Sequence, residues 1–257
     1  MAFATSIYGK YGDEKVVSST KKHRLGTRME LRDGRVFYYA QASGAIGAGK
    51  LVMQNNHNHA NHIKDLAVAT AAAVGATKIN FTNAGSAFAL TQLNDGMVFV
   101  NDVDGEGHAY SIRSNAAIGI TSTGDLTLDE DDDIREALTT NSQIGIRTNK
   151  FLDCQLYDNT DIDGIVLGVA PTEISDNEFF WVQSWGSAAV LTSGTVVLGK
   201  SVIPKGTGAT SDGAVRKITT AVGSAVANTG LDFQSVGMVE SVGATTEYSL
   251  VYLTISR

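Results

Sequence analysis

Phe37-Tyr38-Tyr39-Ala40-Gln41 leads into Gly44-Ala45-Ile46-Gly47-Ala48-Gly49-Lys50-Leu51-Val52, and Phe180-Trp181-Val182-Gln183 leads into Gly194-Thr195-Val196-Val197-Leu198-Gly199-Lys200-Ser201-Val202. The chain thus writes one pattern twice: an aromatic run ending in Gln, then G-x-[IV]-x-x-G-K-x-V. The second copy satisfies the phosphate-loop expression G-x-x-x-x-G-K-[ST], whose hydroxyl holds magnesium in nucleotide hydrolases. The first copy has Leu51 where that hydroxyl belongs. A phosphate loop also needs small middle residues and an exit into a helix. Thr195-Val196-Val197-Leu198 is β-branched and apolar, and the exit Val202-Ile203-Pro204 favours strand and stops a helix. The repeat therefore reads as strands bounded by glycine turns, and the spacing serves architecture.

Working outward, the rest of the chain has the same texture. It has 257 residues, 27 Gly and only 2 Pro, with segments rich in Val, Thr, Ile and Ala. That is the balance of many short strands joined by tight turns. The fold class expected is mainly β: two linked β-sandwich or barrel-like units with an extended N-terminal arm and little helix. The expected boundaries are an arm over residues 1–30, a first β unit over 31–158 and a second over 159–257, with the turn-rich Asp158–Gly164 between the units. Gly96–Val100 and Ala109–Arg113 read as a hairpin. In the second half, Gly164–Ala170, Glu178–Ser184, Val196–Ile203, Ala214–Thr219, Gly237–Ser241 and Ser249–Ser256 read as strands. Two short helical stretches are expected, an Ala-rich one over Leu66–Val74 and one turn over Ile134–Leu138. No apolar run approaches the roughly 20 residues that span a bilayer, and the first residues lack a basic and then apolar leader, so a soluble protein without a secretion signal is expected.

Charge is distributed unevenly. Residues 1–35 carry eight basic groups against four acidic ones, a balance of +4, whereas the remainder carries 12 against 23, a balance of −11. A basic arm on an acidic body points to a contact with a neighbouring subunit or another acidic protein surface. The candidate partner-binding residues are Lys21, Lys22, Arg24, Arg28, Arg32 and Arg35. No nucleic-acid partner is expected, because the body would repel phosphates and few aromatics interleave with the basic residues.

Chemistry-bearing constellations are sparse. The single Cys154 allows neither a disulfide framework nor a cysteine-based zinc site, and between Leu152 and Leu156 it reads as a small buried hydrophobe. His57, His59 and His62 form H-x-H-x-x-H, but an Asn-rich loop without a nearby carboxylate reads more readily as polar surface than as a metal site. Asp129–Asp133 is a dense acidic run, and Asp102–Glu106 and Asp161–Gly164 each resemble part of a calcium loop. Neither completes the twelve-residue pattern, since Thr172 stands where the final Glu belongs. There is no G-x-S-x-G, and no serine is marked as a partner for His108 beside Asp104 and Glu106. No enzyme, no cofactor, no metal and no catalytic residue is expected.

Three stretches carry a resemblance. They are Gly96–Asp102 with Gly105–Asn115; Leu126-Thr127-Leu128 followed by Ile134–Thr140; and the closing Tyr248–Ile255 with Trp181–Gly186 upstream. Together they resemble virion structural proteins of tailed bacteriophages, over about residues 30–257. The resemblance implies a capsid decoration, or cement, protein on the outside of the major capsid protein lattice. It would be made in the host cytoplasm, located on the virion surface, self-associated as a homo-oligomer, most plausibly a trimer, and without a membrane partner. The alternative is a tail or fibre-associated protein that binds host glycans, motivated by Trp181 and Trp185, whose indoles would stack on sugars if exposed.

Overall fold

The computed structural model describes residues 5–55, 65–158, 164–205, 212–218, 234–244 and 246–257. In chain order the strands are β1 (Ser6–Gly9), β2 (Arg28–Leu31), β3 (Val36–Gln41), β4 (Leu51–Met53), β5 (Leu66–Thr70), β6 (Lys78–Thr82), β7 (Met97–Asp102), β8 (Ala109–Asn115), β9 (Thr123–Leu128), β10 (Gln143–Arg147), β11 (Gln155–Leu156), β12 (Val166–Val169), β13 (Phe179–Leu191), β14 (Ser201–Pro204), β15 (Val215–Lys217), β16 (Gly237–Ser241) and β17 (Tyr248–Thr254). Helical structure among the described residues is one 3-10 turn, Asp13–Lys15. The expected mainly β class is what the chain adopts.

The chain divides into two units, but not where the sequence places the boundary. Residues 1–55 join 151–257, and residues 56–150 form the second unit as an insertion. The cause is long-range pairing. β3 lies antiparallel to β13 with Phe37 opposite Gln183, and β4 pairs with β11 and β12, so residues 31–55 belong with the C-terminal segment rather than with 56–150. Of the expected boundary turn, residues 159–163 lie outside the described residues.

In the inserted unit six strands close into a barrel in the order β10-β5-β6-β9-β8-β7. Period-2 alternation fills it: Tyr110 and Ile112 of β8, Ile79 and Phe81 of β6, and Leu126 and Leu128 of β9 all point inward. The Ala-rich stretch expected as a helix is β5. Leu66 and Val68 face the barrel core and Ala67 faces out, so alternation across two ladders outweighs the helix preference of the five alanines in Leu66–Val74. Nor do Ile134 and Leu138 form a helical turn. Both are buried, and Leu138 exchanges two backbone hydrogen bonds with Ala72, at 2.9 and 2.8 Å.

In the other unit the main sheet follows the path β1-β2-β3-β13-β17-β16-β14-β15. The N-terminal segment is its edge rather than a free arm. β1 pairs in parallel with β2, Ser18 bridges Phe179, the Gly26 N–H donates to the Tyr39 carbonyl at 2.8 Å, and Leu25 is buried in the same core as Phe37 and Phe180.

One corner recurs in both units. A buried residue is followed by a four-residue turn whose last N–H donates back to its first carbonyl: Lys50 to Gly47, Ala76 to Ala73, Gln92 to Ala89, Ser122 to Gly119, Glu178 to Ser175 and Lys200 to Val197. The third turn residue has positive φ in each, at Gly49 (70°), Gly75 (84°), Thr91 (64°), Thr121 (56°), Asn177 (61°) and Gly199 (70°), as in type II turns. The buried residues ahead of these turns pair across the units' own sheets, Ile46 with Ile174 and Phe88 with Ile118. The twice-written Gly-Lys pattern is the sequence trace of two of these corners. Lys50 and Lys200 each lead into a strand, β4 and β14, not into the helix a phosphate loop requires.

Candidate functional site

β17 explains why one face of the larger sheet stays open. Its pattern Tyr248-Ser249-Leu250-Val251-Tyr252-Leu253 is apolar on both sides: Val251 and Leu253 are buried, while Tyr248, Leu250 and Tyr252 are exposed. β16 sets Met238 opposite Tyr252, and β13 sets Ala189 opposite Leu250. Met238 is 54% exposed and Tyr252 37%. The half-buried Trp185 packs edge-on against Tyr252 with ring centroids 5.8 Å apart, and the Arg257 guanidinium lies 5.6 Å from the Trp185 ring centre. This is a contiguous aromatic and aliphatic face on the surface of the sheet unit, of the kind that gains free energy when covered.

A groove of about 500 Å³ borders this face. Val169, Ala170, Pro171 and Tyr248 line it, and Glu14, Lys15 and Arg35 supply its charge. Gly49 is required here: a Cβ would fall 2.5 Å from the Tyr248 ring. Glu14 is buried, accepts the Gly12 N–H at 2.6 Å and lies 3.6 Å from Arg35 Nη2, while Arg35 Nε donates to Asp33 at 2.8 Å. Burial pushes the Asp33 carboxyl up, but the Arg35 hydrogen bonds and charge outweigh it and hold the group below its ordinary value.

The six basic residues expected to bind a partner do not form one patch of uncommitted charge. Arg28 pairs with Glu30 at 2.8 Å on β2, Arg35 pairs with Asp33 and Glu14, and Arg32 stacks over Tyr11 at 5.3 Å. Lys21, Lys22, Arg24 and Arg32 are exposed. The two tryptophans separate as well. Trp181 is 4% exposed, packed against Tyr39 at 4.9 Å and His23 at 5.2 Å, and a bulge in the β3 ladder falls between it and Trp185. An indole in that position cannot stack on a sugar.

The acidic run is engaged within the barrel unit. Asp132 accepts the Ser111 N–H at 2.6 Å, Glu130 pairs with Arg113, and Asp133 pairs with Arg135 at 2.9 Å. His108 Nδ1 lies 3.1 Å from the Gly105 carbonyl, and Asp104 accepts from the Thr139 hydroxyl at 2.7 Å. Among the described residues no three His, Cys, Asp or Glu side chains converge on a common ion position. His57, His59, His62, Asp161 and Asp163 lie outside the described residues. Cys154 is fully buried, and burial pushes its thiol up. No helix among the described residues is long and apolar enough to cross a membrane.

Sequence reasoning did not single out Met238, Leu250 and Tyr252 as an exposed apolar face. The available signal was that both alternation classes of β17 are apolar, one more apolar face than a single buried sheet side needs. No protein-family model, curated protein or solved structure matches the chain.

Proposed function

We propose that this protein is a non-enzymatic structural protein of a tailed-phage virion, a decoration or cement protein that binds the outside of the major capsid protein lattice and stabilises the head. The observation that carries the reading is the exposed face of Met238, Leu250 and Tyr252 beside the half-buried Trp185, a surface suited to docking on protein. The resemblance in the hairpin and the closing strand supplies the setting, the virion surface. The physics suits the role: whatever binds the assembled lattice but not its free subunits shifts the equilibrium toward the assembled form. Exposed ion pairs contribute under about 1 kcal/mol each, so Lys21, Lys22, Arg24 and Arg32 would act jointly and salt-sensitively rather than through one hot spot.

Co-sedimentation with purified heads lacking the protein tests this. Wild type is expected to saturate a fixed number of sites, and Trp185→Ala with Tyr252→Ser to weaken binding at least about tenfold, the scale of buried aromatic anchors. Saturable binding to host glycans with no affinity for heads would overturn the proposal in favour of a tail or fibre role.

A further inference from the structure

The outward face of β13, β16 and β17 is uncharged at its centre and carries opposite charges at two corners. Its positions are Trp185, Ser187, Ala189 and Leu191 of β13, Met238, Glu240 and Ser241 of β16, and Tyr248, Leu250, Tyr252 and Thr254 of β17. Glu240 is the single charged residue among them. The β16 ladder slips by one residue there, so Glu240 and Ser241 both stand beside Leu250, and both are exposed. Bulges re-aim side chains, and this one adds a carboxylate to the face.

At the opposite corner Trp185 lies across from Thr254, and the exposed Arg257 holds its guanidinium 5.6 Å from the Trp185 ring centre. Leu250 and Thr254 are separated along β17 by about 14 Å, at roughly 3.4 Å per residue. Neither Glu240 nor Arg257 has an ion-pair partner among the described residues.

This arrangement is its own complement. Consider a two-fold axis in the plane of contact that crosses the line from Glu240 to Arg257 at right angles and at its middle. It sets each Glu240 over the Arg257 of the other copy and brings the two apolar centres, each around Tyr252, together, as an isologous contact requires. We propose that in the free protein this face is covered by the same face of a second copy in a two-fold dimer. Apolar burial gives the attachment, and the two Glu240 to Arg257 contacts give it register. A patch three strands wide is small for a specific interface, so the pair is weak and exchangeable. The inference rests on the face and not on its virion role, to which it adds a regulation: the dimer masks the apolar side chains, and the capsid lattice competes with the second copy for them.

Sedimentation of the full-length chain over about 1–200 μM tests the proposal. The mass of wild type is expected to rise from the 27.1 kDa of the monomer toward twice that value. Glu240→Arg and Arg257→Glu each set two pairs of like charges across the axis, and each is expected to weaken association at least about tenfold at low salt. Met238→Ser, which shortens a side chain already in water, is expected to weaken it to a similar degree. An equimolar mixture of the two charge variants should recover the dimer, because both contacts across the axis are then opposite in sign. A wild type that stays monomeric throughout, a variant that associates like wild type, or a mixture that associates no better than its components each overturns the proposal. Co-sedimentation of wild type with heads reports the virion role by itself, so the failure of one reading is distinguishable from the failure of the other.

Discussion

Gly49 and Gly199 occupy the same place in two copies of one turn, at the same φ of 70°, and only their neighbours differ. A Cβ on Gly49 would lie 2.5 Å from the Tyr248 ring and 3.0 Å from the Ala189 carbonyl, whereas nothing lies within 4 Å at Gly199. Alanine at Gly199 therefore meets backbone strain alone, about 1 kcal/mol. Alanine at Gly49 adds displacement of a ring against backbone and should cost about 1–3 kcal/mol more, the scale of overpacking. Urea midpoints of the two variants check this, with Gly49→Ala the lower; equal midpoints would mean that Tyr248 swings clear at no cost.

At the scale of elements, the β class was legible in the repeated glycine pattern, because strands and type II turns are both local and both leave local signatures. Alternation placed the hairpin of β7 and β8, and β17, correctly. It failed where burial is decided by a distant partner: Leu66–Thr70 became a strand because β6 and β10 flank it, and Trp181 was lost as a sugar platform because Tyr39 and His23 cover it. The N-terminal segment was misread for the same reason. Its charge and lack of period describe a mobile arm, but Ile7, Val17 and Leu25 pack on the core, and β1 completes the ladder on β2. Deleting residues 1–28 should therefore lower stability by several kcal/mol, at about 1.5–3 kcal/mol for a fully buried aliphatic side chain. Chemical denaturation followed by near-UV circular dichroism checks it; an unchanged transition would restore the arm to a solvated tail. The candidate site was less legible than the fold. The groove brings together Glu14, Arg35, Gly49, Pro171 and Tyr248 from five separated stretches, and no local pattern encodes that convergence.

At the scale of the whole molecule, a sheet unit is built from both ends of the chain and a barrel is inserted between them. The insertion leaves and re-enters at one place on the sheet. β4 ends two residues before Asn55, Gln155 Nε2 donates to Asn55 Oδ1 at 3.0 Å, and Gln155 pairs with Met53. Chain ends that close can be joined by a few residues at little entropic cost, since closure entropy grows only slowly with loop length. The barrel in turn has its own core, with Tyr110, Phe81 and Leu126 among its buried side chains, and its strands close on themselves and leave no edge. Replacing residues 56–150 by a short Gly-Ser link should thus leave a folded sheet unit that still presents Trp185 and Tyr252, and residues 56–150 alone should fold with a cooperative thermal transition. Calorimetry of the two pieces provides the measurement. Two separate transitions would establish that each unit is a domain, whereas a sheet unit that melts without cooperativity once the barrel is removed would show that the insertion supplies stability rather than occupying a surface turn.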